Sequence, residues 1–212
     1  MKQLFSFVMF LALAFAGHAQ PITSNQIYRV IPEFPKYVTA HMEFRDASGA
    51  RWPSIFYGRP VTNGLVRLGP AQPAAAFTLN CSERPQKNGD QSRRVLGELF
   101  ADAKPGGVIL QINGMGPITS VVDKKAPMSS TFTGFLNVAG TKVPVNAVGA
   151  LRQQSAGRGD EKNESLMIDL EFEIKAGDLG LKTFDASAPL QVRAALTAYS
   201  DAAVAAAAAR RR

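Results

Sequence analysis

Leu166-Met167-Ile168-Asp169-Leu170-Glu171-Phe172-Glu173-Ile174 alternates apolar and polar residues almost without a break. Successive side chains of a strand point to opposite faces, so Leu166, Ile168, Leu170, Phe172 and Ile174 share a dry face, while Met167, Asp169, Glu171 and Glu173 share the other. Pro189 to Tyr199 repeats the pattern: Leu190, Val192, Ala194, Leu196 and Ala198 point inward and Gln191, Arg193, Thr197 and Tyr199 outward, with Ala195 neutral. Lys142 to Leu151 follows less cleanly through Val143, Val145, Ala147 and Leu151. Ser129 to Tyr199 therefore reads as antiparallel ribbon, the material of a container or a scaffold.

Working outward, further strands are expected over Gln26 to Ile31, Tyr37 to Phe44, the stretch through Ile55, Phe56 and Tyr57, Val61 to Leu68, Ala75 to Asn80, Val108 to Asn113 and Thr131 to Val138. Turn chemistry separates them at Pro32 to Pro35, Asp46 to Gly49 and Ala139-Gly140, and Asn113-Gly114 suits a hairpin turn. Asn63-Gly64 is the weak point of its strand. Ser82 to Ser92 and Arg152 to Asn163 read as polar connections. Arg93 to Ala101 breaks the rhythm, because Val95, Leu96, Leu99 and Phe100 make one stripe on a short helix. At least eight strands and one short helix, with no linker inside residues 20 to 200, define an all-β fold: a single antiparallel barrel. Closure removes exposed strand edges, and eight strands enclose either packed side chains or one small ligand.

The first nineteen residues carry Lys2, an apolar run from Leu4 to Ala16, and Gly17 and Ala19 around His18, the pattern of a cleavable secretory signal. The expected mature chain starts at Gln20, is periplasmic or secreted, and has no transmembrane segment, since no later run reaches ~18 apolar residues. Cys81 alone cannot make an internal disulfide, so stability must come from a packed core; it reads as a small buried hydrophobe. The formal charge of +7 is mostly terminal: Lys2 leaves with the signal, and Arg210, Arg211 and Arg212 carry three more charges. Residues 201 to 212 are an Ala/Arg-rich tail, read as a solvated helical end, with peripheral contact to an anionic membrane surface or contact to nucleic acid as the alternative.

Catalytic parts are scarce. Beyond the signal the chain has one histidine, His41, and one cysteine, Cys81, so the usual zinc sets are missing and no cofactor is implied. His41 falls on the polar side of its strand. Asp169, Glu171 and Glu173 stand about 7 Å apart along one face, a spacing known from acid pairs, yet a solvated outer face accounts for them. No Gly-rich phosphate loop follows a strand, and aromatic residues do not interleave with a basic face, so nucleic acid is not an expected partner.

Gly134-Phe135-Leu136-Asn137-Val138-Ala139-Gly140-Thr141-Lys142-Val143-Pro144-Val145 resembles the Gly-x-Leu-x-Leu-x-Gly-x-x-Lys-Pro-Val hairpin of the YceI-like family, exported lipid-binding proteins with a lipocalin-like barrel. Ile174 to Gly180 is similar to that family's Ile-x-Arg-x-Asp-Phe-Gly segment, with Ala176 and Leu179 in place of Arg and Phe. The expected helix at Arg93 to Ala101, leading into the strand at Val108, resembles the family's Leu-x-x-x-x-Phe-Phe helix. The resemblance implies a non-enzymatic carrier that holds an isoprenoid or other fatty amphiphile, without metal, inside the barrel. Candidate lumen residues are Leu110, Ile112, Phe132, Leu136, Val145, Ile168, Leu170, Phe172, Val192 and Leu196, with Phe77 and Leu79 beside them. The alternative is a structural or interaction module whose barrel those side chains simply fill, and whose outer surface meets a partner.

Overall fold

The structure, a computed structural model, describes residues 26–31, 40–45, 51–60, 63–69, 71–83, 108–119, 128–138, 140–155, 164–180 and 185–209. The expected signal, the helix at Arg93 to Ala101 and the three terminal arginines lie outside these residues, as do the side chains of His41 and Cys81. Among the described residues, ten antiparallel strands form one sheet: β1 Gln26–Val30, β2 Ala40–Arg45, β3 Arg51–Pro60, β4 Gly64–Leu68, β5 Ala74–Glu83, β6 Val108–Met115, β7 Met128–Val138, β8 Thr141–Ser155, β9 Glu164–Lys175 and β10 Pro189–Ser200.

These ten strands occupy eight places around a closed barrel. Along one edge of β10, Ser200 and Tyr199 face Tyr28 and Arg29 of β1, and Leu196 to Gln191 then face Ala40 to Arg45 of β2. Along β5, Ala74 to Ala76 face Arg67 to Leu65 of β4, and Leu79 to Glu83 face Pro60 to Phe56 of β3. So β1 and β2 lie end to end as one stave, β4 and β3 as the next, and the remaining six strands follow in chain order. The other edge of β5 pairs with β6 and completes the ring. Closure pairs the two outermost edges that an open sheet would offer to another chain.

Register carries the interior from stave to stave. Phe77 faces Ile112, which faces Gly134, which faces Val145. Leu151 faces Ile168, and Ile168 faces Leu196. All twelve candidate lumen residues are buried, none more than 6% exposed, in one apolar cluster. Small residues sit where bulky ones need space: Phe132 faces Ala147, and its ring lies over Gly149, where a Cβ would stand 2.2 Å from Cε2 of the ring.

Turns behave as the residues dictate. Gly140, between β7 and β8, has φ +87°, and its N–H donates to Oδ1 of Asn137 at 3.1 Å. Gly180, at φ +69°, ends a 3-10 helix, Ala176–Leu179, that follows β9 and buries Ala176 and Leu179. Such backbone favours glycine because it has no Cβ to clash. Asn113-Gly114 makes no hairpin turn: β6 runs on to Met115 with a register irregularity between Ile112 and Gly114, and Gly114 faces Thr133. A Cβ there would meet the Thr133 hydroxyl at 2.3 Å, so this glycine serves a close strand approach. Strand β3 also continues through Arg59 and Pro60, with the break falling before Gly64, and β5 extends through Ser82 to Glu83 where a loop was expected.

The chain closes with helix α1, Asp201–Ala209. Ser200 caps it: the N–H of Ala203 donates to Ser200 Oγ at 3.2 Å, and Asp201 occupies the first turn, where a negative charge opposes the helix dipole favourably. The helix is not simply solvated, for it lies against β1, β9 and β10 and buries Ala203. Beneath it, the outward row Arg29, Tyr199, Ser165 contains a buried Ser165 and a half-buried Tyr199, whose phenol is pushed up by desolvation. Methyl-sized side chains let the helix approach the wall closely.

The Gly149 contact yields a stability prediction. Replacing Gly149 with Ala is expected to destabilise the fold by about 1–3 kcal/mol through overpacking. Combining it with Phe132→Leu should cost less than the two single costs together, as urea unfolding would measure.

Candidate functional site

The two ends of the barrel differ in chemistry. At the end where β8 and β10 finish and β1 begins, the inward rows run out into Gln26, Tyr28 and Gln153. Parity places Gln153 on the row of Val143, Val145, Ala147, Gly149 and Leu151, and Gln153 faces Leu166, itself buried. Gln26 shares the row of Tyr28 and Val30 and faces Leu68. Gln153 Nε2 donates to the Tyr28 hydroxyl at 2.8 Å and also to Oε1 of Gln26, while Tyr28 donates to that same Oε1 at 3.2 Å.

Strands β1 and β8 are not neighbours; β9 and β10 stand between them on the shorter way round. The three side chains thus join across the end of the barrel instead of along its wall. Tyr28 is only 1% exposed, whereas Gln153 faces water. The same end holds Ser130, buried on β7, whose Oγ donates to the carbonyl of Gly116 at 2.9 Å. Buried polar groups cost free energy unless paired, and these are paired with one another or with backbone.

At the opposite end the wall divides. Strand β8 pairs with β9 only from Val148 to Ser155, so Thr141 to Ala147 are held by β7 alone, and beyond Glu171 strand β9 is held by β10 alone. Pro144 lies in the singly paired stretch, where its missing N–H costs no ladder bond toward β9. The 3-10 helix packs against β8 here. A groove of about 340 Å³ opens beside the split, lined by Val148, Glu171, Phe172, Glu173, Gln191, Val192 and Arg193. Val148 is 59% exposed on its rim. Phe172 and Val192, two of the candidate lumen residues, line this groove as well as belonging to the core.

The outer carboxylates are gathered more than the sequence suggests. Arg193 reaches Asp169 at 3.6 Å and Glu171 at 3.7 Å, and faces Glu43, a buried residue, across the β2–β10 pairing. Glu171 and Glu173 remain exposed. This is an ion-pair arrangement on the outer wall, sheltered at Glu43 and Asp169 and open to water at Glu171, where the pair is worth little. Among the described residues, no group of three or more His, Cys, Asp or Glu is placed to hold a metal, and no helix is long and apolar enough to cross a membrane.

Sequence reasoning located the twelve buried apolar residues but not Gln26, Tyr28 and Gln153. The available signal was parity: continuing the alternation of Val143 to Leu151 by one more step puts Gln153 inward.

No family model matches the chain, and no curated protein matches it. Among solved structures it is similar to BcnA of Burkholderia cenocepacia, at 13% identity and a TM-score of 0.48, covering 74% of this chain and 95% of that one. It is also similar to a polyisoprenoid binding domain from Saccharophagus degradans implicated in plant cell wall breakdown, at 10% identity and a TM-score of 0.43, covering 84% and 99%.

The helix beside this end gives a pH prediction. Arg29 and Asp201 form a bidentate ion pair, with Nη2 to Oδ2 at 3.3 Å, and the hydrogen bond from Arg29 holds the Asp201 carboxyl below its ordinary range. A lowered folded-state value means the contribution is present above the ordinary carboxylate range and lost as pH falls through the folded value. Docking of α1 should therefore weaken only in acid, and earlier at high salt, because both groups are exposed. Helical circular dichroism followed from neutral pH into acid should show the loss, and Asp201→Asn should abolish that step.

Proposed function

We propose that this protein is a divergent member of the YceI-like family, and that it is an exported, non-enzymatic carrier holding an isoprenoid or other long-chain amphiphile inside the barrel. The observation that carries the proposal is the interior itself: one apolar cluster that the described inward rows carry from stave to stave, with the uncharged side chains of Gln26, Tyr28 and Gln153 meeting at one end. Transfer of a hydrocarbon chain from water is worth ~0.8 kcal/mol per buried methylene, so such an interior can hold a slender chain with no polar contact along its length. Its head then lies at the polar end and its tail points toward the split between β8 and β9. The two sequence segments that resemble the family, at the β7–β8 turn and after β9, support the same reading, as do the charged side chains turned to the outer wall.

A second reading has a specific observation behind it. Phe132 fills the space over Gly149, and the carbonyl of Gln111 would lie 2.0 Å from a Cβ on Gly134, so part of the wall packs tightly against itself. Carried all the way through, that packing would make the barrel a solid scaffold with a partner-binding outer face.

Organic extraction and mass spectrometry of the purified full chain distinguish the two. The carrier reading expects a co-purified long-chain lipid near one per protein, and uptake of a fluorescent fatty probe by the stripped protein. Ala194→Leu, which adds bulk between Leu170 and Met42, should lower probe affinity at least about tenfold while leaving far-UV circular dichroism native-like, since overpacking of this size typically costs only about 1–3 kcal/mol. A lipid-free protein that takes up no probe would establish the scaffold.

A further inference from the structure

We propose that Gln26, Tyr28 and Gln153 form a recognition site for an uncharged, hydrogen-bonding head group, such as an alcohol, carbonyl or ester, and that the site discriminates against phosphate and carboxylate heads. The proposal rests on the carrier reading above and specifies the ligand class for that same interior.

Three features carry it. First, the bridge spans the end of the barrel from β1 to β8, so a ligand with its chain along the axis brings its head to these atoms. Second, the bridge offers donors and acceptors together: each amide carries both, and the Tyr28 hydroxyl donates to one glutamine and accepts from the other. Gln153 is exposed and its bond to Tyr28 is half-buried, so it can exchange a side-chain partner for a ligand oxygen, whereas buried Tyr28 marks the inner limit of the site.

Third, the charge that an anionic head would require is turned away. Arg29 and Arg152 are next in sequence to Tyr28 and Gln153, and strand alternation puts both on the outward rows, exposed. Arg29 is already bonded to Asp201. Of the side chains described at this end, the inward polar ones are Gln26, Tyr28, Ser130, Gln153 and Ser200, all neutral, and the inward register of β9 continues to Glu164, which supplies no cation. Moving a phosphate from water to neutral amides and a phenol leaves its charge unpaired, which is far more costly than placing a hydroxyl there.

Competition binding on the full chain tests this, with geranylgeraniol and geranylgeranyl monophosphate displacing a fluorescent fatty probe. The alcohol should bind at least about tenfold more tightly than the phosphate. Tyr28→Phe and Gln153→Leu should each weaken the alcohol about three- to tenfold, with little change for the phosphate. Gln153→Arg should shift the preference toward the phosphate. The ratio of the two affinities is read within each variant, so a general loss of folded protein does not imitate the effect. Equal binding of the two compounds, preference for the phosphate, or a ratio unmoved by all three substitutions overturns the head-group assignment while the carrier reading stands. If neither compound nor the probe binds, the carrier reading itself fails.

Discussion

The hydrogen bonds along the edge of β10 that faces away from β9 hold the architecture together. That strand pairs with β9 on one side over nearly its whole length, and on the other side it receives β2 and then β1. Without those bonds the sheet would expose a row of unpaired backbone donors and acceptors, and the apolar faces of β8, β9 and β10 would have no opposite wall. Once the ring is closed, parity is locked on every stave: a slip of one residue anywhere would turn an entire apolar row to water. The first four strands show how strict this is. They form two staves, and in the first both Tyr28 of β1 and Met42 of β2 are buried where they face Ser200 and Ala194 of β10, so the inward row continues in step from one strand to the other.

Closure also accounts for the difference between the two ends. The pairing of β8 with β9 stops at Val148 and Glu171, and each strand continues with a single partner. A proline inside the fifteen-residue β8 is tolerable because the split relieves Pro144 of a second neighbour. The 3-10 helix, placed by Gly180, covers apolar surface at this end with Ala176 and Leu179. At the other end the staves remain paired, and polar side chains meet across the opening. The ligand proposed for the interior would therefore have a direction, with its polar part near the bridge and its apolar part toward the split.

Alternation made most of this legible from the sequence. The alternating rows Val143 to Leu151, Leu166 to Ile174 and Leu190 to Ala198 point inward as their spacing requires, Gly140 adopts left-handed backbone in its turn, and Gly180 does so in the bend after β9. Ends of strands were less legible. Arg152 to Asn163 reads as polar connection, yet β8 runs on to Ser155, so Gln153 is strand and faces in. Its partners are 125 and 127 residues away, and no local pattern pairs positions so distant. Asn113-Gly114 misled for a different reason: the dipeptide favoured in tight hairpins also suits a bulge, and the close approach to Thr133 decided between them. Gly149 looks like a gap in an apolar row until the Phe132 ring is seen to occupy it.

Strand β1 shows how side chains can supply what backbone pairing lacks. It is five residues long, and only Tyr28 and Arg29 face β10, although all five face β4. A strand so weakly paired on one edge at the start of a barrel is a natural place for the wall to open. Its two β10-facing residues are tied on opposite faces: Tyr28 inward to Gln153, and Arg29 outward to Asp201 at the start of α1. The charged tie is exposed and screened by salt, and the neutral one is sheltered and is not. On this strand the charge thus stays on the outer side, where water solvates it, and hydrogen bonding alone ties the inner side. Any molecule seated at that end competes only with the neutral tie, so β1 can yield on its inner face while α1 keeps its outer face anchored.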